Sequence, residues 1–196
     1  MKRLAIAVLL VCAFSAAQAG SLEDGMHHLN NKAYASALAA FRLAAARGSA
    51  AAERQIGFMH YQGLGLKQSN TDAVAWFERA ANDGDLQSQI NLGQMYENGM
   101  SVVQSDTRAA HWYGLAAMQG DRRSQLRYGE ILFLGAGVAR DKAEAVKWWR
   151  VAMRPADETT TQMASMIAST LSTIPREIQL EGEQRAAAWI AANGPR

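Results

Sequence analysis

Histidine is the residue type in this chain best suited to bind a metal ion or transfer a proton near neutral pH, and there are four. His27 and His28 are adjacent, so on a helix their side chains point about 100° apart and form a poor chelate. His60 and His111 are distant in sequence, and no His-Glu-x-x-His motif occurs. We therefore predict no metal site and no cofactor.

Motifs of common enzymes are absent from the sequence. There is no nucleophile elbow and no distinctive pair of carboxylates. Gly63-Leu64-Gly65 is rich in glycine, but no predicted strand precedes it, as a phosphate-binding loop would require. We predict that the protein is not an enzyme.

The first residues predict a secretory signal peptide. Met1-Lys2-Arg3 is a short basic start, residues 4–14 are almost wholly apolar, and Ala17-Gln18-Ala19 offers the small residues that a signal peptidase recognises. The apolar run is shorter than the roughly 20 residues that span a bilayer, which disfavours an anchor. We expect cleavage before Gly20, and a mature protein that is periplasmic or secreted.

Cleavage would change both the charge and the thiol content of the chain. Removing residues 1–19 takes away two basic residues and no acidic one, which leaves 18 of each. Nucleic acid and anionic membranes thereby lose electrostatic support as partners. Cys12, the only cysteine, lies in the leader, and Val11 stands where a lipoprotein signal has a small residue. We expect neither disulfides nor lipidation.

A step of 36 residues organises the rest of the chain. The residues that recur at this step are Gly57, Gly93 and Gly129; Gly63, Gly99 and Gly135; and Trp76, Trp112 and Trp148. A period of this length predicts stacked helix pairs, none of which buries its apolar face alone. The predicted fold class is all-α, a right-handed superhelix (solenoid). We expect a single domain over residues 20–196, with repeats at 49–84, 85–120 and 121–156.

The flanks of the array are predicted to be less regular. Residues 20–48 read as a helix pair whose first helix, 22–30, lacks the glycine signature, and residues 157–196 read as capping helices. Within the first repeat we expect helices over about Ala50–Tyr61 and Asp72–Asn82. The C-terminal helices are expected over 159–172 and 177–192, with Pro175 between them.

The second copy carries a family likeness. Its motif is Leu92-Gly93-x-Met95-Tyr96-x-x-Gly99, followed by Ala109-x-x-Trp112-Tyr113-x-x-Ala116-Ala117-x-x-Gly120-Asp121. This resembles the Sel-one-like repeat, a short relative of the tetratricopeptide repeat. In the other copies His60 and Leu132 replace the family tyrosine, and in the second copy itself Met100-Ser101 replaces the usual apolar-Gly pair.

The resemblance implies a protein-binding adaptor, of the kind found in signalling, secretion or envelope assembly. Some secreted members with paired cysteines are linked to β-lactam binding or hydrolysis, and the lack of such pairs disfavours that branch here. We expect a non-catalytic scaffold in the bacterial cell envelope, with a protein or peptide partner. The alternative is an accessory scaffold for envelope polysaccharide, which would need Trp149 or Tyr61 exposed for stacking on sugars.

The partner is expected to lie along the first helices, which line the concave side of such a solenoid. Their non-repeating positions are the candidate contacts: Gln55, Phe58, Gln62, Gln94, Glu97, Asn98, Arg127, Glu130 and Phe133. Trp76, Trp112 and Trp148 are predicted to be core. Trp149 is the exception, because a second indole in place of Phe77 and Tyr113 could leave an exposed anchor.

Overall fold

The structure, a computed structural model, describes residues 22–154, 165 and 167–193. The predicted signal peptide, its cleavage site and Cys12 lie outside the described residues, as does half of the predicted helix over 159–172. The described residues form helices joined by turns, with no strand among them. The chain divides into two compact units, one up to Ser88 and one from Gln89.

The first unit contains two helix pairs. Its helices are α1 (22–30), α2 (Tyr34–Ala46), α3 (Ala50–Gln62) and α4 (Asn70–Asn82). Ala37, Phe41, Ile56 and Met59 are fully buried, and apolar side chains of α1 pack against them. The core is thus built from one apolar stripe of each helix, as the period-3.6 pattern predicts.

The second unit contains the remaining helices. These are α5 (Leu86–Asn98), which carries the chain across the boundary, α6 (Asp106–Met118), α7 (Arg122–Leu134), α8 (Lys142–Ala152), α9 (167–171) and α10 (Arg176–Asn193). α8 packs against both α7 and α10. The core of the second unit contains Val146, Trp148 and Trp149 from α8, together with Ile174 from the turn before α10.

Serine and aspartate side chains start the helices. Asp121 and Asp141 accept hydrogen bonds from the backbone N–H groups of Ser124 and Glu144, at 2.7 and 2.8 Å. In the first repeat the cap is Ser69, which lies before the expected start at Asp72. α4 therefore begins two residues earlier than predicted.

A glycine on each first helix lies beneath an aromatic ring of the following helix. A Cβ atom at Gly57 would lie 2.9 Å from Phe77, one at Gly93 would lie 2.8 Å from Tyr113, and one at Gly129 would lie 2.6 Å from Trp149. Contacts this short are closer than carbon atoms tolerate, so the ring position requires glycine. Gly57, Gly93 and Gly129 are therefore packing positions within helices, whereas Gly63, Gly99 and Gly135 have positive φ and follow the helix ends.

The N-terminal helix pair shows the same contact. A Cβ atom at Gly25 would overlap the ring of Phe41. Residues 22–30 thus lack a glycine at the 36-residue step, as predicted, but Gly25 makes the equivalent contact. Gly25 and Phe41 are 16 residues apart, whereas Gly57 and Phe77 are 20 apart, because the connection between α1 and α2 is shorter. This difference places Gly25 outside the 36-residue step.

The recurring tryptophans pack in the interior as predicted, with one qualification. Trp112 and Trp148 are buried, whereas Trp76 is half-buried and the Arg79 guanidinium lies 4.4 Å above its ring. Trp149, which the sequence left open as an exposed anchor, is buried, since only 4% of it is accessible. Gly129 leaves room for the second indole, and Nε1 of Trp149 donates to the Leu126 carbonyl at 3.3 Å.

The loops between paired helices depend on positive backbone angles. Gly65 and Gly137 have φ of 71° and 69°, and each packs so closely on the start of the preceding repeat's second helix that a Cβ atom would overlap it. In the middle loop Ser101 adopts φ of 67° without being glycine. The loop geometry is thus kept where the family pair is lost, at the cost of local strain.

Candidate interaction surface

The candidates on α3 present an apolar surface. Phe58 is 39% exposed and Gln62 is exposed, whereas Gln55 is half-buried. Tyr61, one turn along from Phe58, is 42% exposed. Two aromatic side chains therefore lie side by side on the first helix of this repeat.

The candidates on α5 are polar. Gln94 and Asn98 are exposed, and the Asn98 amide donates to the carbonyl of Gln94 at 2.9 Å, within its own helix. Glu97 is half-buried and accepts a hydrogen bond from the Tyr113 hydroxyl at 2.8 Å. The three side chains differ accordingly in how freely they could meet a partner.

An ion-pair network joins three of the predicted residues. Arg127 on α7 donates to Glu97 on α5 and to Glu130, one turn along α7, at 2.5 Å. Burial alone would lower the pKa of Arg127, but the hydrogen bond to Glu97 and the charge of Glu130 raise it overall. Burial, and then the hydrogen bond to Glu97, raise the pKa of the Tyr113 phenol. This network fixes the side chains before any partner binds.

Phe133, the last predicted residue, belongs to a cavity of the second unit. Its ring lies 5.6 Å from that of Trp149, and the Lys142 ammonium lies 5.6 Å from its centre. The cavity measures about 440 Å³, within the usual range for ligand pockets of roughly 300–1,000 Å³. It is lined by Arg123, Leu126, Arg127, Glu130, Phe133, Leu134, Trp149, Ile167 and Thr170.

Leu134 is a surface residue that the sequence-based selection missed. It is 54% exposed and occupies the repeat position of Gln62 and Asn98. An apolar residue replacing two polar ones on an exposed helix position is the signal that could have found it. Leu134 also borders a second cavity of about 270 Å³, whose walls include Glu97, Asp106 and Glu130.

A second feature that the sequence analysis did not predict is a set of buried polar side chains that recur along the chain. Glu53, Gln89 and Gln125 stand at the 36-residue step, and each is less than 5% exposed. Glu53 accepts from Arg79 at 2.7 Å, whereas Gln89 accepts from Gln119 at 2.8 Å. Burial raises the pKa of Glu53, and the Arg79 guanidinium opposes that rise. The recurrence of these three residues can be read in the sequence, but polar side chains are expected on the surface rather than in the core.

The histidines are dispersed in the structure as well. His27 shares a hydrogen bond of 3.1 Å with Asn31, and His60 Nδ1 lies 3.7 Å from the Asp72 carboxylate. Within residues 22–154, 165 and 167–193, no three His, Cys, Asp or Glu side chains converge as metal ligands would. The same residues include no helix with the length and apolar character to cross a membrane.

The chemical character of the surface is that of a binding face. In the first unit its groups are the exposed aromatic side chains of Phe58 and Tyr61. In the second unit they are the exposed Leu134 and, near it, the Arg127 guanidinium that carboxylates hold in place. Such mixtures of apolar anchors with arginine are enriched in protein interfaces. The surface is therefore suited to binding a protein segment.

Comparison with known proteins places these repeats. A family model of the Sel1 repeat matches residues 50–85, 86–121 and 122–152, so the matched repeats begin one residue later than predicted. A comparison with curated protein sequences gave no match.

Two solved structures resemble the chain. One is a Sel1 repeat protein from Oxalobacter formigenes, with 34% identity, a TM-score of 0.60, and coverage of 67% of this chain and 38% of the other. The second is a protective antigen present in uropathogenic Escherichia coli strains that displays an SLR fold; it has 25% identity, a TM-score of 0.62, and coverage of 79% and 34%.

These comparisons fix the fold class. The chain spans little more than a third of the length of either solved structure. The helix-pair repeats and these neighbours confirm the predicted helical solenoid. Because the three matched repeats cover more than half of its residues, the chain belongs to the Sel1 repeat family.

Proposed function

We propose that this chain is a non-catalytic scaffold of the bacterial cell envelope that binds a protein partner along its first helices. Sel1 repeat proteins are generally protein-interaction scaffolds. Export is supported by the basic start, apolar run and small-residue site within residues 1–19. The first-helix assignment is supported by the side chains that these helices expose.

One observation carries the proposal: the first helices expose large apolar side chains where the repeat pattern is not kept. On α3 these are Phe58 and Tyr61, and on α7 it is Leu134. Exposed apolar side chains cost nothing when single, but grouped beside polar residues they mark interaction sites. The fixed guanidinium of Arg127 adds a polar group that need not be ordered on binding.

The experiment is capture of partners from an envelope extract with matched variants. Phe58→Ser and Leu134→Ser remove an apolar side chain from a first helix. Leu43→Ser and Met118→Ser remove one of similar exposure from a second helix. We expect the first pair to lose most of the captured partner and the second pair to retain it, with equal thermal stability. Retention of full capture by the first pair would show that the partner binds elsewhere.

The exposure of Tyr61 supports a second candidate, contact with envelope polysaccharide. An exposed ring can stack on a sugar, and Tyr61 is 42% exposed. The buried indole of Trp149 removes the other ring that this candidate invoked. Binding of envelope glycan fragments by the wild type and its loss in Tyr61→Ser would favour this role; no binding by the wild type would dismiss it.

A further inference from the structure

We propose that the 440 Å³ cavity between α7, α8 and α9 binds a bulky apolar side chain of the partner, together with a carboxylate beside it. The proposed ligand is a peptide segment in which a large aliphatic or aromatic residue neighbours Asp or Glu. This inference rests on the proposed function, since it names the chemistry of the partner that the scaffold would bind.

The walls of the cavity are apolar and rigid. Leu126 and Phe133 come from α7, Trp149 comes from α8, and Ile167 comes from α9. The Trp149 indole is held on one side by Gly129 and by its hydrogen bond to a backbone carbonyl. A preformed wall of this kind loses little conformational entropy when a side chain enters.

The apolar walls alone would distinguish ligand side chains by their size but not by their charge. Burying a Leu or Phe side chain against them would favour binding by removing apolar surface from water. That is enough for an anchor residue but not for a specific complex. Specificity must come from the charged groups at the rim.

Arg123 is the cation at the rim that is available to a ligand. Its side chain is exposed at the start of α7, and no ion pair is formed by it with any of the described residues. Arg127, the other guanidinium in the lining, is engaged by Glu97 and Glu130. An incoming carboxylate would therefore pair with Arg123, whereas an incoming ammonium would meet an unmatched positive charge.

The chemistry of the ligand can be selected directly. Random peptides displayed on phage would be selected on the purified protein lacking residues 1–19, and the enriched sequences synthesised with a fluorescent label. We expect enrichment of a large apolar residue next to Asp or Glu. The control is Arg42→Glu, the same charge reversal at an exposed arginine of the first unit.

Three variants locate the site. Arg123→Glu should weaken the enriched peptides about fivefold, and selection on it should favour Lys or Arg beside the apolar residue. Thr170→Trp should fill the cavity and abolish binding, whereas Ala168→Trp, an exposed position outside the lining, should not. Circular dichroism melting confirms that each variant is folded.

The outcomes separate this inference from the proposed function. Peptides that bind without regard to Arg123→Glu and Thr170→Trp would place peptide binding elsewhere on the scaffold; the cavity assignment would fail and the proposed function would stand. Enrichment of basic peptides, or no enrichment, would also overturn the assignment. Loss of capture from envelope extract is measured independently with the Phe58 variant, because Phe58 lies outside the cavity lining, whereas Leu134 is part of it.

Discussion

Trp149 lies against the backbone of Gly129, and a Cβ atom at position 129 would lie 2.6 Å from the indole Nε1. The same relationship joins Gly93 to Tyr113 and Gly57 to Phe77. The repeat therefore conserves a contact, a ring on a bare helix backbone, while the ring itself changes from copy to copy.

Gly129→Ala tests this contact. Alanine is the better helix former by about 1 kcal/mol, so propensity alone predicts stabilisation. Overlap with Trp149 predicts the opposite, a loss of about 2 kcal/mol in the free energy of unfolding, because the packed core must shift. Urea unfolding measures the difference. Arg123→Ala, an exposed position on the same helix, should change stability by less than about 0.5 kcal/mol.

Gly25→Ala tests the equivalent glycine–ring contact in the first helix pair. We expect a loss of about 2 kcal/mol, since the new methyl group overlaps the Phe41 ring. Gly25→Ala should cost less in a protein that already carries Phe41→Leu than in the wild type, because the smaller leucine side chain can move aside. Additive effects of the two substitutions would show that the residues do not compete for space.

Ser101→Gly and Gly137→Ser should change the stability of the protein in opposite directions. Ser101→Gly relieves a left-handed backbone and should stabilise the protein by about 0.5 kcal/mol after the entropic cost of glycine. Gly137→Ser should destabilise it by more than about 2 kcal/mol, because the new Cβ atom overlaps the backbone of Asp106 and Thr107. Thermal melting compares the two. Equal changes in melting temperature for the two variants would mean that the packing of these loops does not affect stability.

Glu53→Gln should stabilise the protein in a pH-dependent way. Burial raises the folded-state pKa of Glu53 above its ordinary value of 4.5, with Asp83 adding to the rise and Arg79 opposing it. The wild type therefore loses stability as pH rises from 4.5 through the folded-state pKa, whereas the glutamine variant does not. We therefore expect the free energy of unfolding at pH 7 to be higher for the glutamine variant than for the wild type.

Urea unfolding at pH 4 and pH 7 measures that dependence. The gain should shrink at pH 4, where the Glu53 carboxyl is largely protonated in both states. Glu78→Gln, a half-buried glutamate of α4, provides the comparison. A gain that is the same at both pH values would mean that ionisation of Glu53 is not its source.

The sequence was sufficient to predict the helix pairs and most of their ends. Glycines at a fixed step mark each pair, and Asp121 and Ser49 cap helices where their types and positions predict. These features are local, so they follow from neighbouring residues alone.

Features that depend on contacts between helices were harder to predict. The contact of Gly25 could not be predicted, because a shorter connection moves this glycine off the 36-residue step. The sequence left the exposure of Trp149 open, because the space above Gly129 is visible only in three dimensions. Arg127 was correctly chosen as a non-repeating residue, but its engagement by Glu97, 30 residues away, follows from helix packing. Whether the nine candidate residues contact a partner stays a prediction.

The most direct test of the proposed function is photo-crosslinking in intact cells of the source organism. A photoreactive phenylalanine would replace Phe58 on α3 or Glu130 on α7, with Leu43 on α2 and Met118 on α6 as controls of similar exposure. We predict one shared crosslinked protein from the two first-helix positions and none from the controls. Crosslinks from the second-helix positions alone, or none from Phe58 and Glu130, would contradict the proposal that partners bind along the first helices.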